Sequence, residues 1–230
     1  VGDYDRRVVI LSRELGKIAA FAKGARRPNS HLIGVTRPFI FGTFEVYRGR
    51  DSYTIQKANV TNYFEELVSD LDGVLYGYYF AELAEYYGRE NLDAADMINL
   101  LYVAFKALVN KSLPNELVRY IYEIRLIAVN GECPDFFSCA GCGSEKELQL
   151  YSYKENGMYC VECAASSGDG IVLQSSTLYT LQYIITAPLT KLFNFVVKAD
   201  VLNELKKVVN RIEFITFDKH FKSKEMLDIG

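Results

Sequence analysis

Two Cys-x-x-Cys pairs constrain this sequence more than any other feature. Cys139 and Cys142 form the first pair, and Cys160 and Cys163 follow after seventeen residues. Pairs at this separation are typical of four-thiolate zinc sites, because each short pair turns the backbone so that both sulfurs face one ion. Four thiolates fill a tetrahedral shell, so we expect one Zn²⁺ per chain with a structural role. Four free thiols or two disulfides are the alternative interpretation.

The residues between the two pairs predict a small zinc ribbon. Asn156 and Gly157 form a dipeptide that favours a tight hairpin turn. Apolar and polar residues alternate around it, at Leu148, Leu150, Ser152 and Met158. We therefore place a zinc module at about residues 133–170. The fifth cysteine, Cys133, is interpreted as a small buried hydrophobe rather than a fifth ligand.

The composition allows one large domain or two smaller ones, because the chain has 230 residues and half of them are apolar. We predict two domains. No apolar run approaches the roughly 18 residues that span a bilayer, and no charged and apolar leader opens the sequence. Five cysteines, four of them explained by zinc, fit a reducing compartment. The sequence therefore predicts a soluble, cytoplasmic protein without membrane contact.

Charge is distributed unevenly along the chain. Residues 1–60 contain eleven Lys and Arg residues against five Asp and Glu residues, a net charge of +6. The remaining residues contain fifteen basic and twenty-four acidic side chains, a net charge of −9. This asymmetry indicates that the first part meets a polyanion, although an ordinary solvated face is the alternative.

The first 60 residues predict short β-strands with basic loops. Residues 8–11 and 18–22 are apolar and flank a glycine, which indicates one hairpin. Residues 35–48 and 53–56 predict a second hairpin. Four strands without a helical pattern suit a small closed barrel such as the OB-fold, which has five strands. The sequence begins at Val1 without an initiator methionine, so we expect the first strand to come from a preceding segment.

From Thr61 onward the apolar period changes to that of helices. The first helical pattern ends at Gly88 and includes Leu67, Leu71, Leu75, Phe80, Leu83 and Ala84. We expect a second helix to be capped by Asp93 and a third to begin at Pro114 and end at Gly131. After the ribbon, helices are expected to begin near Ser175 or Ser176 and at Asp200.

These patterns predict an α+β protein with two domains. Residues 1–60 form an OB-fold domain that binds nucleic acid. Residues 61–230 form an all-α helical bundle into which the zinc ribbon is inserted.

Motifs for catalysis are absent from the sequence. His31 and His220 are the only histidines, and there is no Gly-x-Ser-x-Gly elbow, P-loop or dinucleotide-binding fingerprint. We therefore predict that the protein is not an enzyme.

Basic residues near aromatic ones indicate nucleic-acid binding, because cations follow the phosphates of a single strand while rings stack on its bases. Residues 23–28 place three cations beside a glycine and a proline in one exposed loop. Phe39 and Phe41 could stack on bases, but core positions are the favoured interpretation for each ring. The candidate DNA-binding residues are Arg6, Arg7, Arg13, Lys17, Lys23, Arg26, Arg27 and Arg37.

The order of these motifs resembles the RecO family of bacterial recombination mediators. The resemblance covers nearly the whole chain and rests on Asp5-Arg6, Leu15-Gly16-Lys17, Lys23-Gly24-Ala25-Arg26-Arg27-Pro28, Cys139-Ala140-Gly141-Cys142-Gly143 with Cys160 and Cys163, and Phe221-Lys222-Ser223. It implies an N-terminal OB-fold, a zinc module and a role in DNA repair without catalytic turnover.

The resemblance also implies partners. Proteins of this family bind single- and double-stranded DNA, anneal complementary strands, pair with RecR and help RecA to displace single-strand-binding protein, so a cytoplasmic, nucleoid-associated location is expected. The acidic tail of single-strand-binding protein would contact the helical part, where Arg119 and Arg125 are the candidate residues. The alternative is an adaptor with a zinc ribbon and an OB-like barrel that binds RNA or protein without annealing.

Overall fold

The computed structural model describes residues 2–50, 52–165 and 168–229. It is an α+β structure, as predicted, and it contains two compact units. Residues from 1–110 and 221–230 form the first unit, and residues 111–220 form the second. This grouping assigns several helices to the same unit as the N-terminal strands, whereas the sequence indicated a boundary near residue 60, which stays a prediction.

Four strands form the sheet of the first unit: β1 (Arg6–Ser12), β2 (Gly16–Ala22), β3 (Phe41–Arg48) and β4 (Tyr53–Asn62). Their spatial order is β1-β2-β4-β3. The two predicted hairpins are confirmed, since β1 pairs antiparallel with β2 and β3 pairs antiparallel with β4. The described strands form an open sheet in which β1 and β3 are the edges, so a closed OB-fold barrel is not shown.

A short parallel pairing joins the two hairpins, with Ala20 opposite Tyr53 and Phe21 opposite Thr54. Side chains alternate across this sheet, as strand geometry requires. One face is buried and contributes Ile18, Ala20, Ala22, Tyr53 and Ile55 to a core cluster. Leu32 closes this cluster from the short helix α1 (Leu32–Val35), which the sequence analysis did not predict.

Three further helices follow in the first unit: α2 (Glu65–Ser69), α3 (Leu71–Tyr87) and α4 (Ala95–Asn110). The stop at Gly88 is confirmed, and the Asp93 carboxylate accepts a hydrogen bond of 2.6 Å from the backbone N–H of Ala95. Leu71 does not take the core position that its spacing indicated: it is 87% exposed, because α2 and α3 are separate helices and Leu71 opens the second one.

An aromatic cluster forms the core beside these helices. Phe39 and Phe41 contact Phe105 of α4 at ring-centroid distances of 5.1 and 6.0 Å, and Phe64 contacts the same ring at 5.4 Å. Edge-to-face contacts of this kind stabilise a core beyond the burial of area. The favoured interpretation of Phe39 and Phe41 as core residues therefore agrees with their positions.

The second unit contains a helical group with an inserted ribbon. Its helices are α5 (Asn115–Val129), α6 (Val161–Ala164), α7 (Ser175–Thr186), α8 (Leu189–Leu192) and α9 (Ala199–Thr216). Helices α5, α7 and α9 pack on one another in pairs through buried aliphatic side chains. Pro114 precedes the first residue of α5, as predicted. The N-cap positions differ from prediction by one or two residues: Gln174 precedes α7 and Lys198 precedes α9, and neither side chain makes a capping hydrogen bond.

Three strands form the ribbon: β5 (Leu148–Ser152), β6 (Gly157–Cys160) and β7 (Gly170–Val172). The predicted hairpin is confirmed, since β5 pairs antiparallel with β6 and the turn ends at Asn156 with a positive φ of 50°. The third strand, β7, was not predicted and pairs with the free side of β5.

The last helix, α10 (Lys222–Ile229), belongs to the first unit and packs on α3. Both the backbone N–H and the hydroxyl of Ser223 donate to Glu82 Oε2, at 3.0 and 2.5 Å. No helix in the described parts of the chain has the combined length and apolarity that a membrane span requires.

Gly16 is a position where the fold requires glycine. Its φ is +63°, and a Cβ there would lie 2.0 Å from the carbonyl oxygen of Arg89. We expect Gly16→Ala to destabilise the first unit by more than the roughly 1–2 kcal/mol that a left-handed conformation costs, because backbone atoms must also move. Gly131→Ala is the matched control, since Gly131 also has a positive φ of +77° but open space around it. Urea denaturation of both variants measures the difference, and equal losses would contradict the clash.

Candidate metal centre and nucleic-acid interface

The four cysteines predicted as ligands lie together in the second unit. Their Sγ atoms all lie within 4.8 Å of one another. The Sγ atoms of Cys142 and Cys160, one from each pair, are 3.8 Å apart. That separation is far longer than the roughly 2.05 Å of a disulfide bond. The two pairs therefore converge on one point.

Local backbone structure positions these sulfurs. The carbonyl oxygen of Cys139 accepts a hydrogen bond of 2.8 Å from the N–H of Gly143, whose positive φ of 76° closes the turn around the first pair. The N–H of Ala140 donates to the carbonyl of Met158 in β6, which ties this turn to the hairpin. Cys160 ends β6, and Cys163 lies on the short helix α6 that follows it.

The Sγ of Cys139 lies in a polar cradle although the residue is buried. Burial opposes ionisation of the thiol, but backbone N–H groups, first that of Cys160, donate to this sulfur and lower its pKa to about 6. The N–H of Cys160 lies 3.3 Å from the sulfur. These donors favour a thiolate, which is the form that binds metal.

The cluster has the dimensions of a tetrahedral thiolate shell. A metal–sulfur bond of about 2.3 Å gives sulfur–sulfur edges of about 3.8 Å in a regular tetrahedron, and the Cys142–Cys160 edge has this length. The absence of a side chain at Gly141 makes room for this packing. A Cβ there would crowd Cys163, because it would lie only 3.3 Å from the Sγ atom. Cys139, Cys142, Cys160 and Cys163 could therefore hold one structural metal ion.

The loop at residues 23–28 is anchored by its backbone and presents its cations outward. The N–H of Gly24 donates to Asp5 Oδ1 at 2.7 Å, and the N–H of Arg26 donates to the carbonyl of Tyr4 at 2.9 Å. Ala25, in the middle of the loop, is buried in the core cluster of the sheet. Lys23, Arg26 and Arg27 are exposed. The Arg27 guanidinium lies 5.5 Å from the centroid of the Tyr4 ring.

The other candidate cations fall into two groups. Three are bonded within the first unit: Arg6 donates to the carbonyl of Ile33 and to Thr36 Oγ1, Arg13 donates to Asn99 Oδ1, and the Lys17 ammonium donates to the carbonyl of Glu85. Arg7 and Arg37 are exposed. Arg6 is half-buried on the core side of the sheet, so its bonds to α1 hold the fold together.

The opposite face of the sheet carries the predicted Arg7 together with three residues that the sequence analysis missed, Phe21, Thr54 and Tyr47. Arg7, Phe21, Thr54 and Tyr47 lie side by side across all four strands, in the registers that pair β1 with β2, β2 with β4, and β4 with β3. We call these four residues the outer row. Side chains within one strand alternate between the two faces, but the parallel pairing of β2 with β4 is long-range and no local pattern predicts it.

Arg119 and Arg125, the candidate partner contacts, lie on α5 in the second unit. Arg119 is 8% exposed, and its Nε donates to the buried Glu123 Oε1 at 2.7 Å while Nη2 lies 3.8 Å from Glu213 Oε2. Arg125 is half-buried and donates to the carbonyl of Ile184 at 3.2 Å. Their role in partner binding stays a prediction. A ligand carboxylate at Arg119 would have to compete with two carboxylates already present.

Taken together, these features define an α+β protein with a basic, partly aromatic sheet and a helical unit that carries a four-cysteine ribbon. Comparison with known families gives a specific result. The family model "Recombination protein O N terminal" matches residues 1–64, and "Recombination protein O C terminal" matches residues 68–225. The chain belongs to the RecO family.

Similar curated proteins extend over almost the whole chain. A DNA repair protein RecO from Acetivibrio thermocellus is 31% identical over 231 aligned residues, which cover 98% of this chain and 90% of that protein. Proteins of the same name from Alkaliphilus metalliredigens and Bacillus subtilis are each 27% identical, covering 98% and 99% of this chain and 92% and 89% of their own lengths.

The buried carboxylates beside Arg119 should make the stability of the second unit depend on pH. Burial, and next the charge of Glu213, raise the pKa of Glu123 to about 8. Between about pH 4.5 and pH 8 the folded chain should therefore keep a proton on Glu123 that the unfolded chain releases. The stabilisation from this proton is complete below about pH 4.5 and is lost as pH rises through about 8. We expect Glu123→Gln, which keeps the neutral form, to reduce the fall in Tm between pH 5 and pH 8.5.

Thermal unfolding across this pH range measures the effect. Each kcal/mol corresponds to about 2–4 °C in Tm for a chain of this size. Glu145→Gln is the control, because Glu145 is exposed on the ribbon. An unchanged pH dependence in Glu123→Gln would show that Glu123 is ionised in the folded protein.

Proposed function

We propose that the protein is a recombination mediator in DNA repair. It binds single- and double-stranded DNA, anneals complementary strands and, together with RecR, helps to load RecA onto DNA coated with single-strand-binding protein. Family membership supports the general role in DNA repair and recombination. The proposal assigns no covalent step to the chain, so annealing would result from holding strands close together.

The observation that carries the proposal is the anchored basic loop. Its backbone is fixed by hydrogen bonds to Tyr4 and Asp5, so Lys23, Arg26 and Arg27 project without being used in the core. Arginine can bind phosphate oxygens through two parallel hydrogen bonds. Such contacts position a strand without selecting its sequence. This combination suits a protein that must bind any broken chromosome end or gap.

The N-terminal sheet is the proposed DNA-binding domain. Four of the five strands of an OB-fold would be accounted for by β1–β4, and an additional strand paired with both the β1 edge and the β3 edge would close the barrel. The boundary of this domain near residue 60 is supported by the match of the N-terminal family model to residues 1–64.

Within the helical unit, the proposed partner is the acidic tail of single-strand-binding protein. Arg125 and Arg119 stay the candidate contacts, and Arg125 would be reached first because it is the more exposed of the two. Its guanidinium could donate hydrogen bonds to a carboxylate while it keeps its bond to the carbonyl oxygen of Ile184. Contacts at Arg125 and Arg119 would recruit the protein to DNA coated with single-strand-binding protein. The basic loop would then bind the DNA strand itself.

We also propose that the ion in the cysteine cluster is zinc. Soft thiolate ligands in a closed tetrahedral set select zinc or iron–sulfur chemistry, and the ribbon context favours zinc. When bound, zinc would supply a crosslink between the turn at Cys139 and the hairpin end at Cys160. It would have no open position for a substrate.

Loss of one ligand should unfold the ribbon locally. Structural zinc contributes on the order of 10 kcal/mol in small zinc-binding peptides, so Cys142→Ser should lose metal and lower the stability of the second unit. Elemental analysis of protein purified without added metal is the measurement, with Cys133→Ser as the matched control because Cys133 lies outside the cluster. Substoichiometric zinc in the wild type, with Cys142→Ser equally stable, would refute the assignment.

The loop itself is tested by its salt dependence. Affinity falls as salt rises, and each phosphate neutralised on a single strand adds roughly 0.7 to the magnitude of the slope of log affinity against log salt. Replacing Lys23, Arg26 and Arg27 with alanine should therefore lower that slope by about two units and weaken binding similarly for every DNA sequence. Fluorescence anisotropy with labelled oligonucleotides at several salt concentrations measures both quantities.

A second triple variant provides the control for charge alone. Lys191, Lys198 and Lys207 are exposed in the second unit, and replacing them removes the same charge. Its salt slope should stay close to that of the wild type. If the loop variant keeps its slope and still anneals complementary strands, the loop is only a solvated turn. If the wild type binds oligonucleotides without annealing them, the adaptor function replaces the mediator function.

A further inference from the structure

The outer row combines one cation and two aromatic rings on a single face of the sheet. Arg7 lies opposite Phe21, Phe21 lies opposite Thr54, and Thr54 lies opposite Tyr47. Residues in direct register on neighbouring strands project to the same side, and neighbouring strands are about 4.8 Å apart. The row therefore runs perpendicular to the strands across the full width of the sheet.

This face is accessible in the first unit. Tyr47 is 61% exposed, Arg7 is exposed, and Phe21 and Thr54 are half-buried. Among the described residues, the Tyr47 ring stacks on no other ring and its hydroxyl makes no hydrogen bond. Because an aromatic side chain normally buries most of its area, an uncovered ring on the same sheet face as a second ring and an arginine suggests a surface that a ligand completes.

The spacing of the rings fits a strand with separate bases. Phe21 and Tyr47 are two strands apart, a distance of about 10 Å between backbone positions, so each ring would meet a different base. Lys23 follows two residues after Phe21, which places the basic loop at the same end of β2. Phosphates bound by the loop would thus continue into bases that meet the rings.

We propose that the outer row is a base-stacking platform that makes the protein prefer single-stranded DNA over duplex. This inference rests on the proposed function in DNA binding and adds a site to it. Stacking requires a free base face, and in a duplex those faces are covered by neighbouring base pairs. Phosphate contacts at the loop are available in both forms of DNA. The loop therefore contributes affinity for any DNA, and the outer row contributes the preference for unpaired bases.

The experiment separates stacking from charge. Tyr47→Ala should weaken binding of a single-stranded oligonucleotide about five-fold to a hundred-fold. Adding Phe21→Ala to this variant should weaken binding by a similar factor again. Affinity for duplex and the salt slope should stay unchanged, because the rings carry no charge. Tyr47→Phe should bind like the wild type, since it keeps the ring.

Two controls make the result specific. Tyr63→Ala removes another exposed tyrosine of the first unit, 44% exposed and outside the outer row, and should bind like the wild type. An abasic deoxyribose-phosphate strand of equal length keeps the phosphates and removes the bases. The wild type should bind it as weakly as the double variant binds the normal strand, and the double variant should not distinguish the two strands.

A direct spectroscopic test uses the absence of tryptophan from this sequence. Tyr47→Trp introduces a single tryptophan in the outer row, and stacking of a base should quench its emission on binding of single-stranded DNA. Tyr63→Trp should be quenched far less, and neither should respond to the abasic strand. Because Tyr47 is exposed, these variants test the platform even if the Phe21→Ala variant does not fold.

The outcomes distinguish this inference from the proposed function. If the wild type binds DNA but Tyr47→Ala weakens single strands and duplex equally, or weakens neither, the platform is overturned while DNA binding stands. Equal affinity of the wild type for abasic and normal strands overturns it as well. If the wild type binds no DNA, the proposed function fails first and the platform fails with it.

Discussion

The parallel pairing between β2 and β4 is the contact on which the first unit depends. It contains only two residue pairs, Ala20 with Tyr53 and Phe21 with Thr54, yet it turns two separate hairpins into one sheet. One pair faces the core, where Tyr53 is buried and donates to Glu90. Burial, and then this bond, raise the pKa of Tyr53. The other pair faces outward and completes the outer row.

The ribbon of the second unit is held together by a different kind of interaction. Two turns and one hairpin bring four sulfurs together over a short stretch of chain, in which Leu150, Tyr151 and Met158 are the buried large side chains of the ribbon strands. A segment of this size buries too little surface to be stable by packing alone. A metal ion held by the four sulfurs would therefore add a crosslink to the ribbon, which also contacts α9, because Arg211 Nη2 donates to the carbonyl oxygen of Tyr153.

A cluster of buried charged side chains also constrains the second unit. Arg119, Glu123 and Glu213 link α5 with α9 inside an otherwise apolar interface. Two carboxylates lie around one guanidinium, and burial, followed by the charge of Glu213, raises the pKa of Glu123. An arginine that looks like a surface contact in the sequence is thus a structural residue first, because a buried cation without carboxylate partners would be strongly destabilising.

The sequence by itself determined whatever depends on neighbours along the chain. Cysteine spacing predicted the cluster, β-prone apolar runs broken by glycine predicted both N-terminal hairpins, and helical periodicity predicted α3, α4, α5, α7 and α9, since these patterns are set by local backbone geometry. Tertiary structure alone decided the rest. The parallel pairing of β2 with β4, the exposure of Leu71, the burial of Arg119 and the outer row all depend on contacts between residues distant in sequence. Such contacts are selected by the packing of whole elements, and no short window of residues contains them.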